Sequence, residues 1–181
     1  MGSIKVKNLL LSKKLKRSEA RVLIIDDNQI RYNQIVDIFH QQNHPLYSVL
    51  LDDLKSFEKQ LNLPWDFIIF GQAYDIKIEQ SIAVIQSNTQ GVIPVIMLKP
   101  NDYVENQYAS YIHKGIYDVL DLQNPEIFYI SMVRALSFSR AIQSKKHLLN
   151  DLENVKIQKQ ELAVEQNKAV AVIQEGIHIE A

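Results

Sequence analysis

From residue 21 onward, short apolar runs alternate with longer stretches in which apolar and polar residues recur at helical spacing. The runs are rich in β-branched residues and almost continuously apolar, which is typical of strands buried on both faces of a parallel sheet. Strands that alternate with helices predict right-handed βαβ units around one parallel sheet. The predicted strands are RVLIID, YSVLL, DFIIF, VIPVIML and YDVLDL, and the predicted helices between them are Gln29–Gln41, Leu54–Leu61, Asp75–Ser87 and Tyr103–Lys114.

A fifth helix is predicted after Pro125, because residues 126–175 contain neither proline nor glycine. Five strands and five helices then fit into about 120 residues. We therefore predict an α/β fold for residues 21–140, a flavodoxin-like doubly wound sheet of five parallel strands. The fifth helix should continue past this domain as a long C-terminal helical extension.

Apolar residues in the extension recur at alternating spacings of four and three, which is the heptad pattern of a coiled coil. Lys159 and Gln166 are two polar residues within this seam. The pattern favours a dimeric coiled coil over residues 141–174, and a single helix folded back on the domain is the alternative. The large apolar residues of the seam are Leu148, Leu152, Val155 and Leu162.

Composition places the chain among globular proteins that can bury a core, since 46% of its 181 residues are hydrophobic and 23% are charged. The chain contains no cysteine, which excludes disulfides, thiol catalysis and cysteine-ligated metal sites. No apolar run approaches the roughly 18 residues of a membrane span. We expect a cytoplasmic protein, and contact with a membrane is not expected.

Positive charge is concentrated at the N-terminus, in a basic extension over residues 1–20. Residues 1–21 contain seven Lys and Arg residues against one Glu, whereas the formal net charge of the whole chain is −1. One interpretation is a solvated leader, or a helix that packs on the domain through its leucines. The alternative is an adaptor whose basic helix touches an anionic membrane or a nucleic acid. A single short basic run favours the first interpretation, so no nucleic-acid partner is predicted.

Functional residues are expected beyond the carboxyl ends of the strands, where ligands of open parallel sheets bind. At this edge the first predicted strand ends on Asp26 and Asp27, and the third ends on Gly71. The fourth strand is followed by Lys99, and the fifth by Leu122. Two adjacent carboxylates are therefore expected beside a position that carries no side chain.

The segments RVLIIDDN, DFIIFG, VIPVIMLKP and GIYDVLDL resemble, in order and spacing, the receiver (CheY-like) domain of two-component response regulators over about residues 20–140. In that family the acidic pair helps to hold Mg²⁺, and a carboxylate that ends the third strand accepts a phosphoryl group. A small hydroxyl residue after the fourth strand and a lysine after the fifth complete the site. The resemblance therefore implies where each of these parts should lie in this chain.

Three of those parts are absent. Gly71 stands at the phosphoacceptor position, Lys99 at the hydroxyl position and Leu122 at the lysine position, so Asp26 and Asp27 alone match the family. The resemblance implies a pseudo-receiver that is not an enzyme and has no catalytic residue, metal or cofactor. A working receiver phosphorylated at an atypical aspartate is the alternative. A glycine at position 71 is also what a bulge or a close backbone approach would require.

Adjacent carboxylates raise each other's pKa unless a cation compensates them. Because Lys99 follows the neighbouring fourth strand, we expect its ammonium to lie beside Asp26 and Asp27 and to take the place of the metal.

The whole pattern resembles the front end of FimX-type proteins, in which a pseudo-receiver leads through a helix into PAS, GGDEF and EAL domains. That family senses cyclic di-GMP and regulates type IV pilus twitching motility. The terminal AVIQEGIHIEA resembles the first residues of the PAS domain. It predicts a turn at Gly176 and a new strand, so residues 175–181 are interpreted as the start of a following PAS-like domain.

Two further groups of residues have alternative interpretations. His40 and His44 have the i, i+4 spacing of zinc ligands, but no third ligand is evident, and their place at a helix C-terminus explains them more simply. Tyr111 and Ile112 lie on the predicted fourth helix, in the face that carries partner contacts in receivers. Ordinary half-buried packing is the alternative for them. We predict a homodimer that also docks an unidentified protein of the pilus or signalling machinery.

Overall fold

The computed structural model describes residues 19–88 and 93–179, so the basic extension predicted for residues 1–20 lies almost entirely outside the described residues. Five parallel strands form one sheet in the order β2-β1-β3-β4-β5. This order confirms the predicted doubly wound fold, in which the strand order reverses between β1 and β3 while all strands remain parallel. The strands are β1 (Ala20–Ile25), β2 (Leu46–Leu51), β3 (Phe67–Phe70), β4 (Val95–Leu98) and β5 (Asp118–Leu120).

The helices follow the strands closely in the predicted order. The first predicted helix has the observed bounds, and the third begins three residues later than predicted. The fourth is shorter than predicted because its first turn is a 3₁₀ helix, Glu105–Gln107. The helices are α1 (Gln29–Gln41), α2 (Leu54–Gln60), α3 (Ile78–Asn88), α4 (Tyr108–His113) and α5 (Pro125–Ile179).

Strand β1 supplies side chains to two separate hydrophobic clusters, one on each face of the sheet. Val22 and Ile24 pack with Phe39 of α1 and with the first turns of α5. Leu23 and Ile25 pack with residues of α2, α3 and α4. Because successive residues of a strand point to opposite faces, a strand buried on both sides must be apolar throughout. This explains why the sequence shows continuous apolar runs where an exposed sheet would show alternation.

The long helix α5 belongs to both compact units of the chain, which comprise residues 1–141 and residues 142–181. Phe128 and Met132 in its first turns are fully buried in the first unit. In the second unit the helix continues through Gly176 to Ile179, so the turn and strand predicted at Gly176 are wrong. A single glycine costs a helix only about 1 kcal/mol, which is too little to end it without another signal. A PAS-like domain after this point stays a prediction.

The two histidines considered as zinc ligands have different surroundings. His40 is exposed, whereas His44 is buried and its Nδ1 lies 2.9 Å from the hydroxyl of Tyr129 on α5. Burial lowers the pKa of His44, and the nearby Arg140 lowers it further. His44 therefore packs as a neutral ring between α5 and the end of α1.

Among the described residues, no helix is long and apolar enough to cross a membrane.

Candidate functional site

The register of the sheet places Asp26 beside Gly71. Ile25 of β1 is paired with Phe70 of β3, so the next residues of the two strands also lie side by side. The amide of Gly71 donates a 2.8 Å hydrogen bond to the carbonyl of Ile25, which continues the pairing to the end of both strands. Asp26 is fully buried at this carboxyl edge, whereas the side chain of Asp27 is half exposed.

The carboxylate of Asp26 lies directly over the α-carbon of Gly71. A β-carbon added at residue 71 would overlap Oδ2 of Asp26 and would lie 2.7 Å from its Cγ. The φ angle of Gly71 is not in the left-handed region, so backbone strain is not the reason for glycine here. Glycine is required because the neighbouring carboxylate occupies the space that any side chain would need. The interpretation of Gly71 as a site of close approach therefore fits the geometry.

Arg31 neutralises Asp26 through two hydrogen bonds. Its Nη2 donates to Oδ1 at 2.6 Å and its Nε donates to Oδ2 at 2.8 Å, so the pair is bidentate. Nη2 also lies 3.7 Å from Oδ1 of Asp27. Bidentate guanidinium–carboxylate pairs combine charge with fixed geometry and are among the stronger polar contacts in proteins. One cation thus pairs with Asp26 and also lies near Asp27, whose side chain is half exposed to water.

Local sequence brings Arg31 into this position. The side chain of Asn28 caps α1 by accepting hydrogen bonds from the amides of Ile30 and Arg31. The amide of Asn28 in turn donates to Oδ1 of Asp26 at 2.8 Å. The cap fixes the first turn, and from that turn the arginine side chain reaches back to the strand end. The signal in the sequence was an arginine three residues after an N-cap asparagine, which itself follows the acidic pair.

Lys99 does not hold the position predicted for it. Its ammonium donates to Oε1 of Glu105 at 2.9 Å and lies 3.7 Å from Oδ2 of Asp121. The hydrogen bond to Glu105 raises the pKa of Lys99 above its ordinary value. The prediction that Lys99 compensates Asp26 and Asp27 is therefore wrong. Arg31 is closer along the chain and has two parallel donors, so it satisfies a carboxylate better than a single ammonium can.

The remaining residues of the degenerate site surround a cavity at the carboxyl edge. The cavity has a volume of about 390 Å³ and is bordered by Gly71, Lys99 and Leu122. Leu122, at the position of the family's lysine, is partly buried and packs against the core between the sheet, α1 and α5. It contributes an apolar wall where a receiver would present an ammonium group. The described residues contain no group of three or more His, Asp or Glu side chains arranged to hold a metal ion.

Solved structures share this architecture. The receiver domain of a Pseudomonas aeruginosa sensor histidine kinase, which has magnesium in its active-site cleft, matches with a TM-score of 0.55 and 14% identity over 66% of this chain and 99% of its own. The receiver of a LuxO repressor from Vibrio parahaemolyticus matches with a TM-score of 0.58 and 16% identity over 68% and 95%. The beryllofluoride-activated NtrC4 receiver dimer matches with a TM-score of 0.55 and 20% identity over 66% and 98%.

Residues 20–140 have the receiver fold. No family model and no curated protein sequence matches the chain. Identities of this size establish a common fold and leave the chemistry of the site to its own residues. In this receiver-like domain, the residue beside the acidic pair is Gly71, which has no side chain. The carboxylate of Asp26 lies over its α-carbon and is bound by Arg31.

Gly71→Ala should lower the free energy of unfolding by about 1–3 kcal/mol, because the added methyl group overlaps the buried carboxylate of Asp26. Urea denaturation followed by circular dichroism measures this loss. The control is the same substitution in an Asp26→Ala background, in which alanine at position 71 should cost less. An equal cost in both backgrounds would show that the overlap is not the reason for glycine.

Arg31→Met should lower the free energy of unfolding by about 2–5 kcal/mol, since it leaves the buried Asp26 carboxylate without its cation. Lys99→Met is the matched control and should cost less than about 1 kcal/mol, because Glu105 is exposed to solvent. Chemical denaturation of both variants measures the difference. A larger loss for Lys99→Met would contradict the assignment of Arg31 as the compensating cation.

Proposed function

We propose that this chain is a non-phosphorylatable pseudo-receiver that works as a dimerisation and protein-interaction module. One observation carries the proposal: the carboxylate of Asp26 fills the space over Gly71 from which a receiver's acceptor aspartate would project. Attack on phosphorus requires a nucleophile at that point, and a bare α-carbon has none.

The state of the acidic pair supports the same conclusion. Mg²⁺ is bound through several oxygen ligands, and in a receiver it offsets the charge on the phosphoryl group. Here both carboxylate oxygens of Asp26 accept hydrogen bonds from Arg31. A metal ion would have to displace this arginine and would still lack the third carboxylate. Asp75, in the loop after β3, is a candidate for the atypical acceptor aspartate, but it is exposed and does not border the cavity.

Small phosphodonors should therefore leave the protein unmodified. We expect no added phosphate by intact-mass spectrometry after incubation of residues 1–181 with acetyl phosphate and Mg²⁺. We also expect no change in the amide spectrum with beryllofluoride. A phosphorylatable receiver treated in parallel serves as the positive control. A hydroxylamine-sensitive phosphoryl group on this chain would overturn the proposal in favour of an atypical acceptor. Gly71→Asp alone should not restore phosphorylation, because the new side chain meets Asp26 and Leu122 still occupies the lysine position.

The second unit of the chain supports the dimerisation role. Every side chain from residue 143 to residue 170 is exposed in the single chain. The four large apolar residues of the predicted seam are between 47% and 64% exposed: Leu148, Leu152, Val155 and Leu162. Exposure of an apolar stripe of this length to water is unfavourable. A second copy of the helix, with the same heptad pattern, can bury the stripe in a coiled coil.

Over most of the estimated ranges, apolar burial in a dimer would exceed the cost of association. Burying a leucine or valine side chain contributes about 1.5–3 kcal/mol, and two copies would bury eight such side chains. Association is opposed by an estimated 4–15 kcal/mol of lost translational and rotational freedom and side-chain ordering. The balance favours a parallel dimer, in which the polar Lys159 and Gln166 would weaken the seam and help to fix its register.

Leu152→Glu should convert the dimer to a monomer, since it places two carboxylates opposite each other in the seam. The matched control is Ile157→Glu, a residue of similar exposure that lies outside the heptad positions and should leave the dimer intact. Light scattering after gel filtration at tens of micromolar measures the mass. A monomeric wild-type chain, or equal effects of both substitutions, would contradict the coiled coil.

A face of the first unit is the alternative site of self-association. Ile112 on α4 is 36% exposed, while the neighbouring Tyr111 is half buried and stacks on Tyr103 with ring centroids 6.3 Å apart. If a chain that ends at residue 141 dimerises as well as residues 1–181, the interface lies on the receiver-like domain and the helix acts as a spacer. The NtrC4 receiver, which shares the fold, is described as a dimer.

The biological setting proposed for this module rests on the sequence resemblance alone. A pseudo-receiver followed by a long helix is the front end of FimX-type regulators. We infer that the chain is the cytoplasmic N-terminal part of such a regulator, linked to cyclic di-GMP signalling and to type IV pilus twitching motility. In that setting a dimeric helix would hold two following PAS domains side by side, and the receiver-like domain would dock a protein of the pilus or signalling machinery.

A further inference from the structure

The cavity at the carboxyl edge remains open although the phosphorylation chemistry has been lost. It has a volume of about 390 Å³, within the range of roughly 300–1,000 Å³ found for small-molecule sites. It also lies beyond the carboxyl ends of β3, β4 and β5, the edge of the sheet at which open parallel sheets bind their ligands. Its floor is apolar and buried, since Met97 and Leu98 at the end of β4 are 6% and 7% exposed, and Pro100 and Leu122 add further apolar surface.

The charged groups around this cavity are already compensated by the protein. Arg31 is paired with Asp26 and approaches Asp27, as described above. Lys99 is paired with Glu105 and lies 3.7 Å from Asp121. Together the two cations have four carboxylates within 4 Å, so this rim of the cavity carries no excess of positive charge that would attract an anionic ligand. An ionic ligand would therefore lose its hydration at this cavity and gain little electrostatic energy in return.

The polar groups that remain available are side-chain amides. Four of them border the cavity, and within residues 19–88 and 93–179 none of their side chains makes a hydrogen bond to protein. Each amide offers two N–H donors and one carbonyl acceptor. They lie on four different segments of the carboxyl edge: Gln34, Gln72, Asn101 and Gln123.

We propose that this cavity binds a small, uncharged heterocycle of the nucleobase class. Paired donors and acceptors on the edge of such a ring match side-chain amides, which is how Asn and Gln recognise bases. The apolar faces of the ring fit the floor formed by the β4 residues and Leu122. The internal pairing of the charges disfavours phosphate-bearing forms of the same ligand. A pseudo-receiver with this site responds to a ligand where a receiver responds to phosphorylation.

Nuclear magnetic resonance of the ¹⁵N-labelled chain tests the proposal through the side-chain amide signals. The probes are adenosine, guanosine, cytidine and uridine, with adenosine monophosphate as the charged comparison. We expect at least one nucleoside to shift the amide signals of Gln34, Gln72, Asn101 or Gln123. The monophosphate should bind no more tightly than adenosine, and added salt should not weaken nucleoside binding.

Variants decide whether the shifts report this cavity. Gln72→Leu combined with Asn101→Leu removes two exposed amides and should weaken nucleoside binding roughly tenfold. The control is Gln80→Leu, an exposed glutamine of α3 that does not border the cavity and should have no effect. The absence of shifts with all four nucleosides up to their solubility would overturn the proposal. Equal weakening by the control, or tighter, salt-sensitive binding of the monophosphate, would also overturn it.

Discussion

The partly buried ion pair between Asp26 and Arg31 is the interaction on which the rest of the carboxyl edge depends. Because the arginine holds the carboxylate in one position, the carboxylate lies over the end of β3. That position excludes every side chain from residue 71, so the ion pair and the glycine explain each other. A buried pair of this kind contributes little net stability compared with apolar packing, and its main effect is to fix one arrangement of the neighbouring groups. Here the fixed arrangement leaves no space for a side chain at residue 71.

The fold was largely predictable because burial on both faces leaves a strong pattern in the sequence. Strands such as VLII and FIIF are apolar at every position, and the bounds of α1 follow from a clear cap at Asn28. The predicted start of the fourth helix differs from the observed start, because the 3₁₀ turn that precedes α4 has no distinct sequence signal. The predicted end of α5 is wrong because a single glycine does not stop a helix. Gly176 lowers helix stability by only about 1 kcal/mol, and the helix continues through it to Ile179.

The candidate site was predictable in its location and in what it lacks, but not in its electrostatics. The positions of the strand ends predicted that Asp26, Gly71 and Leu122 lie at the same edge of the sheet. The choice of compensating cation depended on side-chain reach, and two cations lay within reasonable distance in the sequence. Arg31 is favoured because the cap of α1 aims it back at the strand end, whereas Lys99 finds Glu105 only six residues further along. Which of two cations pairs with a carboxylate depends on the direction and reach of their side chains. Composition and sequence spacing do not contain that information.

The overlap at residue 71 has a consequence for how this domain can change over evolutionary time. Restoring an aspartate there first creates a steric conflict with Asp26, while removing Arg31 first leaves a buried charge without a partner. Each single substitution towards the residue pattern of a phosphorylatable receiver is therefore expected to give a less stable protein. Because the three residues depend on one another, this arrangement is difficult to leave through single substitutions. Selection on this domain then acts more readily on its surfaces and cavities than on these three residues.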